Sequence, residues 1–209
     1  MSLNTKHVFI KMLMLALLLS AAWNFALAGK VYAKAWLAQA LLERAWSQSN
    51  SGLDAVKPWP WADFWPIAKL TVPRLGVEQI VLAGDSGNVL AFAPGYTRSS
   101  VSLGEPGITL FSGHRDTHFN FLKDLVAGDE LLIQGPSGTY VYQVELAQVV
   151  DQTSFSVPRS GAFLTNLSSN QMPQHKQSQL LLVTCYPFDA IEQSDDRYLV
   201  LATKKVSEV

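Results

Sequence analysis

The sequence predicts an all-β fold, a closed eight-stranded β-barrel with short helices, preceded by an N-terminal transmembrane or juxtamembrane helix. Three observations carry this. From Ile67 onward, short apolar runs alternate with turns rich in Gly, Pro and Asp, and helical spacing there is confined to brief pieces such as Phe121 to Leu125. Eight such runs suit a closed sheet, because closure removes the unpaired edges that an open one leaves. Upstream, Met12 to Ala28 is apolar apart from Ser20 and Asn24, which sets it apart from the body of the chain.

Composition bounds what such a chain does. Its 209 residues allow one folded domain and an appendage. Hydrophobic residues make up 48% and charged residues 16%, enough apolar material for a packed core. Lys and Arg number 16 against 17 Asp and Glu, so no basic surface is implied and a nucleic-acid partner is not expected. A single cysteine excludes a disulfide scaffold and a Cys-rich zinc site.

Residues 1–29 read as a membrane anchor or a signal segment. Val8 to Ala28 is long enough to span a bilayer if Lys11 snorkels to the headgroups. Ala26-Leu27-Ala28 before Gly29 also fits a cleavage site, with Lys6 and Lys11 as the positive leader. Either way the remainder is exported. Lys30, Lys34 and Arg44 beyond the apolar run offset the leading lysines, so charge does not fix orientation. Residues 30–66 form a juxtamembrane helix and a connector. Trp36, Ala40 and Leu41–Leu42 recur at helical spacing between Val31 and Trp46, and Asn50-Ser51-Gly52 breaks the pattern. Pro58, Pro60 and Pro66 then forbid regular structure, and Trp59, Trp61 and Trp65 are expected to bury on the domain as a clasp.

Residues 67–209 form the barrel. The expected strands are Ile67 to Val72, Val77 to Val81, a short Ala91–Phe92, Ile108 to Ser112, Glu130 to Gln134, Thr139 to Val150, Leu180 to Cys185 and Tyr198 to Thr203. In the sixth, Tyr140, Tyr142, Val144 and Leu146 alternate with Val141, Gln143, Glu145 and Ala147, and Gly135-Pro136-Ser137-Gly138 joins it to the fifth as a hairpin. Ser154 to Ser178 is long and polar, and is expected to wall a groove beside the strand that follows. No glycine-rich phosphate loop opens a helix, so a nucleotide fold is not expected.

The chemistry centres on Leu180 to Cys185, an apolar run that ends in the lone cysteine, with Pro187 stopping it. Such a cysteine is either a small buried hydrophobe or a working thiol. A thiol nucleophile needs a histidine to favour thiolate and to carry a proton to the leaving group. His7 lies in the export segment and His175 in the polar loop. His114 ends a strand directly after Gly113 and is the better candidate, with His118 in reserve. A zinc pair at the same two histidines lacks a third ligand nearby. Arg197 opens the last strand and approaches Cys185 if the two strands pair antiparallel; otherwise it is an ion-pair partner of Asp195 or Asp196.

Leu182-Val183-Thr184-Cys185, Gly113-His114 at an upstream strand end, and Arg197 leading the next strand resemble, in combination, the sortases, membrane-anchored cysteine transpeptidases whose cysteine motif reads Thr-Leu-x-Thr-Cys. This chain carries Leu181 where the family has threonine. Gly113 to Phe119, Thr184 to Ala190 and the Pro-Trp-Pro-Trp connector are similar to the single sortases of Gram-negative bacteria, and the resemblance runs from about Lys69 to Lys204. It implies an eight-stranded barrel that cuts a Leu-Pro-x-Thr-Gly-like signal near the C-terminus of an exported protein. Cys185 would attack the threonine carbonyl, His114 would act as acid and base, and Arg197 would position substrate and stabilise the oxyanion. An amine would accept the acyl group, and the chain would sit in the inner (cytoplasmic) membrane with its catalytic domain on the extracytoplasmic side. Some sortases bind calcium; no matching acidic cluster occurs beyond Asp195-Asp196, so no metal or cofactor is expected. A membrane-held substrate favours a tethered enzyme, hence an anchor over a cleaved signal.

Rival readings meet particular residues. An L,D-transpeptidase would show Ser-x-Gly-Cys with an arginine shortly after, where this chain has Val183-Thr184-Cys185-Tyr186-Pro187. A papain-like protease usually places its cysteine before its histidine, the reverse of the order here. A non-catalytic barrel that binds envelope peptides fits the same sequence and requires Cys185 buried, with His114 and Arg197 far from it.

Overall fold

A computed structural model describes residues 3–49, 55–151, 177–190 and 194–205. The chain divides into two compact units, Met1–Ala40 and Leu41–Val209. Helix α1 (Leu3–Ser49) supplies nearly all of the first and its last turns belong to the second. Its mean hydropathy reaches 1.9, and it is long and apolar enough, by length and composition, to cross a membrane. Val8, Phe9, Leu18, Leu19 and Phe25 are among its exposed apolar side chains.

In the second unit eight strands close a barrel in the order β1-β2-β3-β4-β7-β8-β6-β5. They are β1 (Pro66–Val72), β2 (Val77–Ala83), β3 (Gly95–Tyr96), β4 (Gly107–Ser112), β5 (Glu130–Gly135), β6 (Gly138–Asp151), β7 (Ser178–Cys185) and β8 (Asp196–Lys204). Seven fall where the apolar runs predict. The third does not. Ala91–Phe92 is not a strand: Ala91 caps a short helix, α2 (Gly87–Leu90), and Phe92 turns to meet Trp59 and Phe64 at 5.2 and 5.5 Å. The strand follows instead at Gly95–Tyr96, in parallel with Leu82–Ala83. Gly95 permits this because a Cβ there would strike the carbonyl of Gly84. The short helical piece expected at Phe121 to Leu125 is a 3-10 helix, Asn120–Asp124.

The interior is packed by alternate residues of the strands, among them Leu70, Phe111, Ile133, Tyr142, Leu180, Leu182 and Val200. A second cluster lies on the opposite face of β4, β7 and β8, with Ile108, Leu110, Leu181, Val183, Leu199 and Leu201. Strand β6 changes allegiance between the two. Val144 pairs with Ala202 and faces the interior; a bulge follows, and Leu146 pairs with Leu201 on the second cluster. The single face expected for Tyr140 through Leu146 is therefore split at Glu145.

A third cluster joins the end of α1 to the connector and β2 through Leu42, Trp46, Ala62, Phe64, Ile80 and Leu82. Trp59 packs against it and Arg98 stacks 5.0 Å over Trp65, but Trp61 is 82% exposed and takes no part in the expected clasp. Phe64, 2% exposed, does that work instead. The expected groove wall at Ser154 to Ser178 lies, up to residue 176, outside the described residues, as does His175.

Leu182 is fully buried between strands on both sides, so Leu182→Ala should cost about 2–5 kcal/mol, read as a lower denaturant midpoint at unchanged slope.

Candidate active site

Two ladders bring the candidate residues together. Strands β4 and β7 pair in parallel, in register from Gly107↔Ser178 to Ser112↔Val183. Two residues further along each chain stand His114 and Cys185. On the other side β7 and β8 pair antiparallel and Cys185 lies directly across from Arg197. The antiparallel approach expected from the sequence is the arrangement found.

The join is secured at its root. The Gly113 N–H donates to the Val183 carbonyl at 3.2 Å, and the buried Thr184 hydroxyl donates to the Gly113 carbonyl at 2.7 Å. Thr184 thus satisfies its own hydroxyl inside the barrel while tying the residue before His114 to the residue before Cys185. Gly113 has no room for a side chain: a Cβ would stand 2.7 Å from the ring of Phe119, which is fully buried. The Phe119 N–H in turn donates to the His114 carbonyl at 3.0 Å and closes a tight turn.

His114, Cys185 and Arg197 line one cleft of about 440 Å³, together with Arg115, Asp116, Ser194 and Asp195. Cys185 is half-buried and His114 exposed. Nη1 of Arg197 donates to the carbonyls of Ser194 and Asp196 at 2.9 and 2.8 Å, which fixes the guanidinium at the mouth. Beside them Tyr186 stacks on Tyr198, and Phe188 meets Tyr198 edge-on at 5.1 Å, a wall of aromatic rings behind the start of β8. The Tyr186–Pro187 peptide is cis.

His118, the reserve histidine, does not line the cleft. It is half-buried, and its imidazole is engaged with the Ala91 carbonyl. Burial holds its pKa below the usual histidine value; the neighbouring His114 adds to this, while Asp116 and the Ala91 carbonyl oppose it. Sequence reasoning passed over Arg115, Asp116 and Ser194 as cleft residues. Arg115 and Asp116 stand directly after His114, and that adjacency was the available signal. Among the described residues, no group of three His, Cys, Asp or Glu could hold a metal ion.

The fold and cleft define a closed mixed barrel that gathers a thiol, an imidazole and a guanidinium at one mouth. The chain matches the Sortase domain family over residues 70–205, and it belongs to that family. It is 28% identical over 131 residues to Sortase D of Bacillus subtilis (strain 168), a match that spans 63% of this chain and 60% of that protein. Among solved structures it is similar in fold to a lid mutant of Sortase A from Corynebacterium diphtheriae. That likeness has a TM-score of 0.55 at 21% identity, over 82% of this chain and 95% of the other. Sortase C1 from Streptococcus suis gives a TM-score of 0.54 at 22% identity, over 68% and 75%.

Two outcomes follow. Gly113→Ala should push the Phe119 ring out of place and lower stability by about 1–3 kcal/mol, measured by chemical denaturation. His118 takes up a proton more readily when unfolded, so its contribution is complete above about pH 6.5 and is lost as pH falls through its lower folded value. Wild type should therefore lose stability relative to His118→Gln between about pH 7 and pH 5, measured by thermal melts in matched buffers.

Proposed function

We propose that this protein is a membrane-tethered sortase transpeptidase. Cys185 is the nucleophile, His114 the acid and base, and Arg197 the group that positions substrate and stabilises the oxyanion. The observation that carries the reading is that these three side chains line a single cleft, with Cys185 directly across the ladder from Arg197. The non-catalytic alternative required a buried cysteine and distant partners; Cys185 is half-buried and shares its cleft with both.

In this reading the substrate is an exported protein with a Leu-Pro-x-Thr-Gly-like signal near its C-terminus. Cys185 passes its thiol proton to His114, Sγ attacks the threonine carbonyl carbon, and the guanidinium of Arg197 faces the oxygen on which charge develops. His114 protonates the departing glycine nitrogen as the C–N bond breaks, leaving a thioester on Cys185. An incoming amine then attacks that carbonyl, His114 takes its proton, and the thiolate departs. The cleft is open to solvent at His114, which suits a residue that meets first a leaving amine and then an arriving one. Helix α1 would hold the enzyme in the inner membrane beside a substrate kept there by its own apolar tail, raising the effective concentration of one for the other.

The test uses the full-length chain in detergent with a Leu-Pro-x-Thr-Gly peptide and an amine. Mass spectrometry should find a thioacyl adduct on Cys185 and a peptide–amine product, both lost in Cys185→Ala. Absence of the adduct on wild type, or an equal product from Cys185→Ala, would sink the assignment.

A further inference from the structure

Arg115 lies in the cleft but has no part in the reaction as proposed. It follows His114 directly, yet its guanidinium reaches across to the segment that leaves Cys185, where Nη2 donates to the Ala190 carbonyl at 2.7 Å. Ala190 closes its own turn through its N–H to the Pro187 carbonyl at 3.4 Å. At the other end, the Arg115 carbonyl accepts a bond from Nδ2 of Asn120 at 3.0 Å, so the backbone from which the side chain springs is itself held.

This bond lies where the barrel's own ladder has run out. Strand β4 ends at Ser112 and β7 at Cys185, and among the described residues the backbone and hydroxyl bonds that tie them end at Gly113. His114 sits just beyond that root, on an exposed turn. The turn is closed on itself by the Phe119 N–H on the His114 carbonyl. Arg115 supplies the bond that ties it across to the segment whose other end is the thiol.

We infer that Arg115 is a positioning residue: its bond to Ala190 locks the His114 turn against the segment after Cys185 and so fixes the reach between imidazole and thiol. The inference rests on the proposed roles of His114 and Cys185. Arginine suits the task because its planar fork is preorganised and always charged, so a bond to a carbonyl costs little ordering.

The experiment compares full-length wild type, Arg115→Ala, Arg115→Lys and His114→Ala in detergent. One readout is kcat and KM for peptide transfer. The other is the rate at which iodoacetamide alkylates Cys185 as a function of pH, which needs no sorting substrate. Arg115→Ala should lower kcat about ten- to hundredfold with KM held within about twofold, as a misplaced catalytic group does. Its alkylation profile should move onto that of His114→Ala, and Arg115→Lys, which keeps one donor, should recover part of both. A kcat and profile within about twofold of wild type overturn the proposal. A raised KM with kcat unchanged overturns it too, since Arg115 is then a substrate contact. So do identical profiles for wild type and His114→Ala, which would leave no coupling to position. If wild type transfers no peptide, the functional reading fails but the alkylation profiles still decide the role of Arg115. Circular dichroism reads folding, and Arg115→Gln stands in should the alanine variant not fold.

Discussion

Strand β7 is the constraint on which the rest of the barrel depends. It is bonded along its length to β4 on one side and β8 on the other, and its residues are buried from Ser178 to Thr184. Leu180 and Leu182 pack inward, while Leu181 and Val183 pack against the cluster on the opposite face. Because both faces are apolar, the strand lacks the in–out alternation that usually fixes register. Register is secured instead by the ladders on both sides and by the Thr184 hydroxyl on the Gly113 carbonyl. A slip of one residue would turn Thr184 out of the interior and carry Cys185 away from Arg197 at the same time. Fold and site are thus specified by one alignment.

The sequence showed this strand plainly, because an unbroken apolar run bounded by a polar segment and a proline has few other interpretations. β8, the next long apolar run, was equally clear, but its antiparallel pairing with β7, which sets Arg197 across from Cys185, was left open by the sequence and is supplied by the ladder. What the sequence could not show lies in tertiary contacts. β3 is two residues long, and its location depends on how closely Gly95 approaches Gly84, which no local pattern encodes. The bulge at Glu145 is invisible because the alternation continues straight through it; only the change of partner from Ala202 to Leu201 reveals that the strand has passed from one core to another. Trp61 misled for a different reason: large aromatic residues usually bury, but here Ala62 and Phe64 fill the space and Trp61 is left outside. In the cleft, the chemistry-bearing residue types were legible and the bond from Arg115 to Ala190 was not, since it joins two turns with no periodic signature.

The charges around the cleft are close to balanced. Arg115 and Arg197 bring two positive groups, Asp116 and Asp195 two negative ones. His118, the nearby ring that could add a further positive charge, is kept from doing so chiefly by burial. The second histidine of the Gly113 to Phe119 segment is thus half-buried outside the cleft and engaged with the Ala91 carbonyl rather than with the thiol.

The proposed catalytic groups stand on supports of unequal stiffness. Cys185 ends a strand whose opening would expose two packed faces and break two ladders, and Arg197 stands on its neighbour. His114 stands on a turn, held by Gly113 beneath it, by Phe119 packed onto that glycine, and by Arg115 beyond it. In the proposed reading the site admits a peptide and then an amine from its open side, where His114 is exposed. If Cys185 and His114 have the proposed roles, the nucleophile ends a strand paired on both sides and the proton carrier stands on a braced turn, so changes in the brace reach the chemistry without breaking the barrel's ladders.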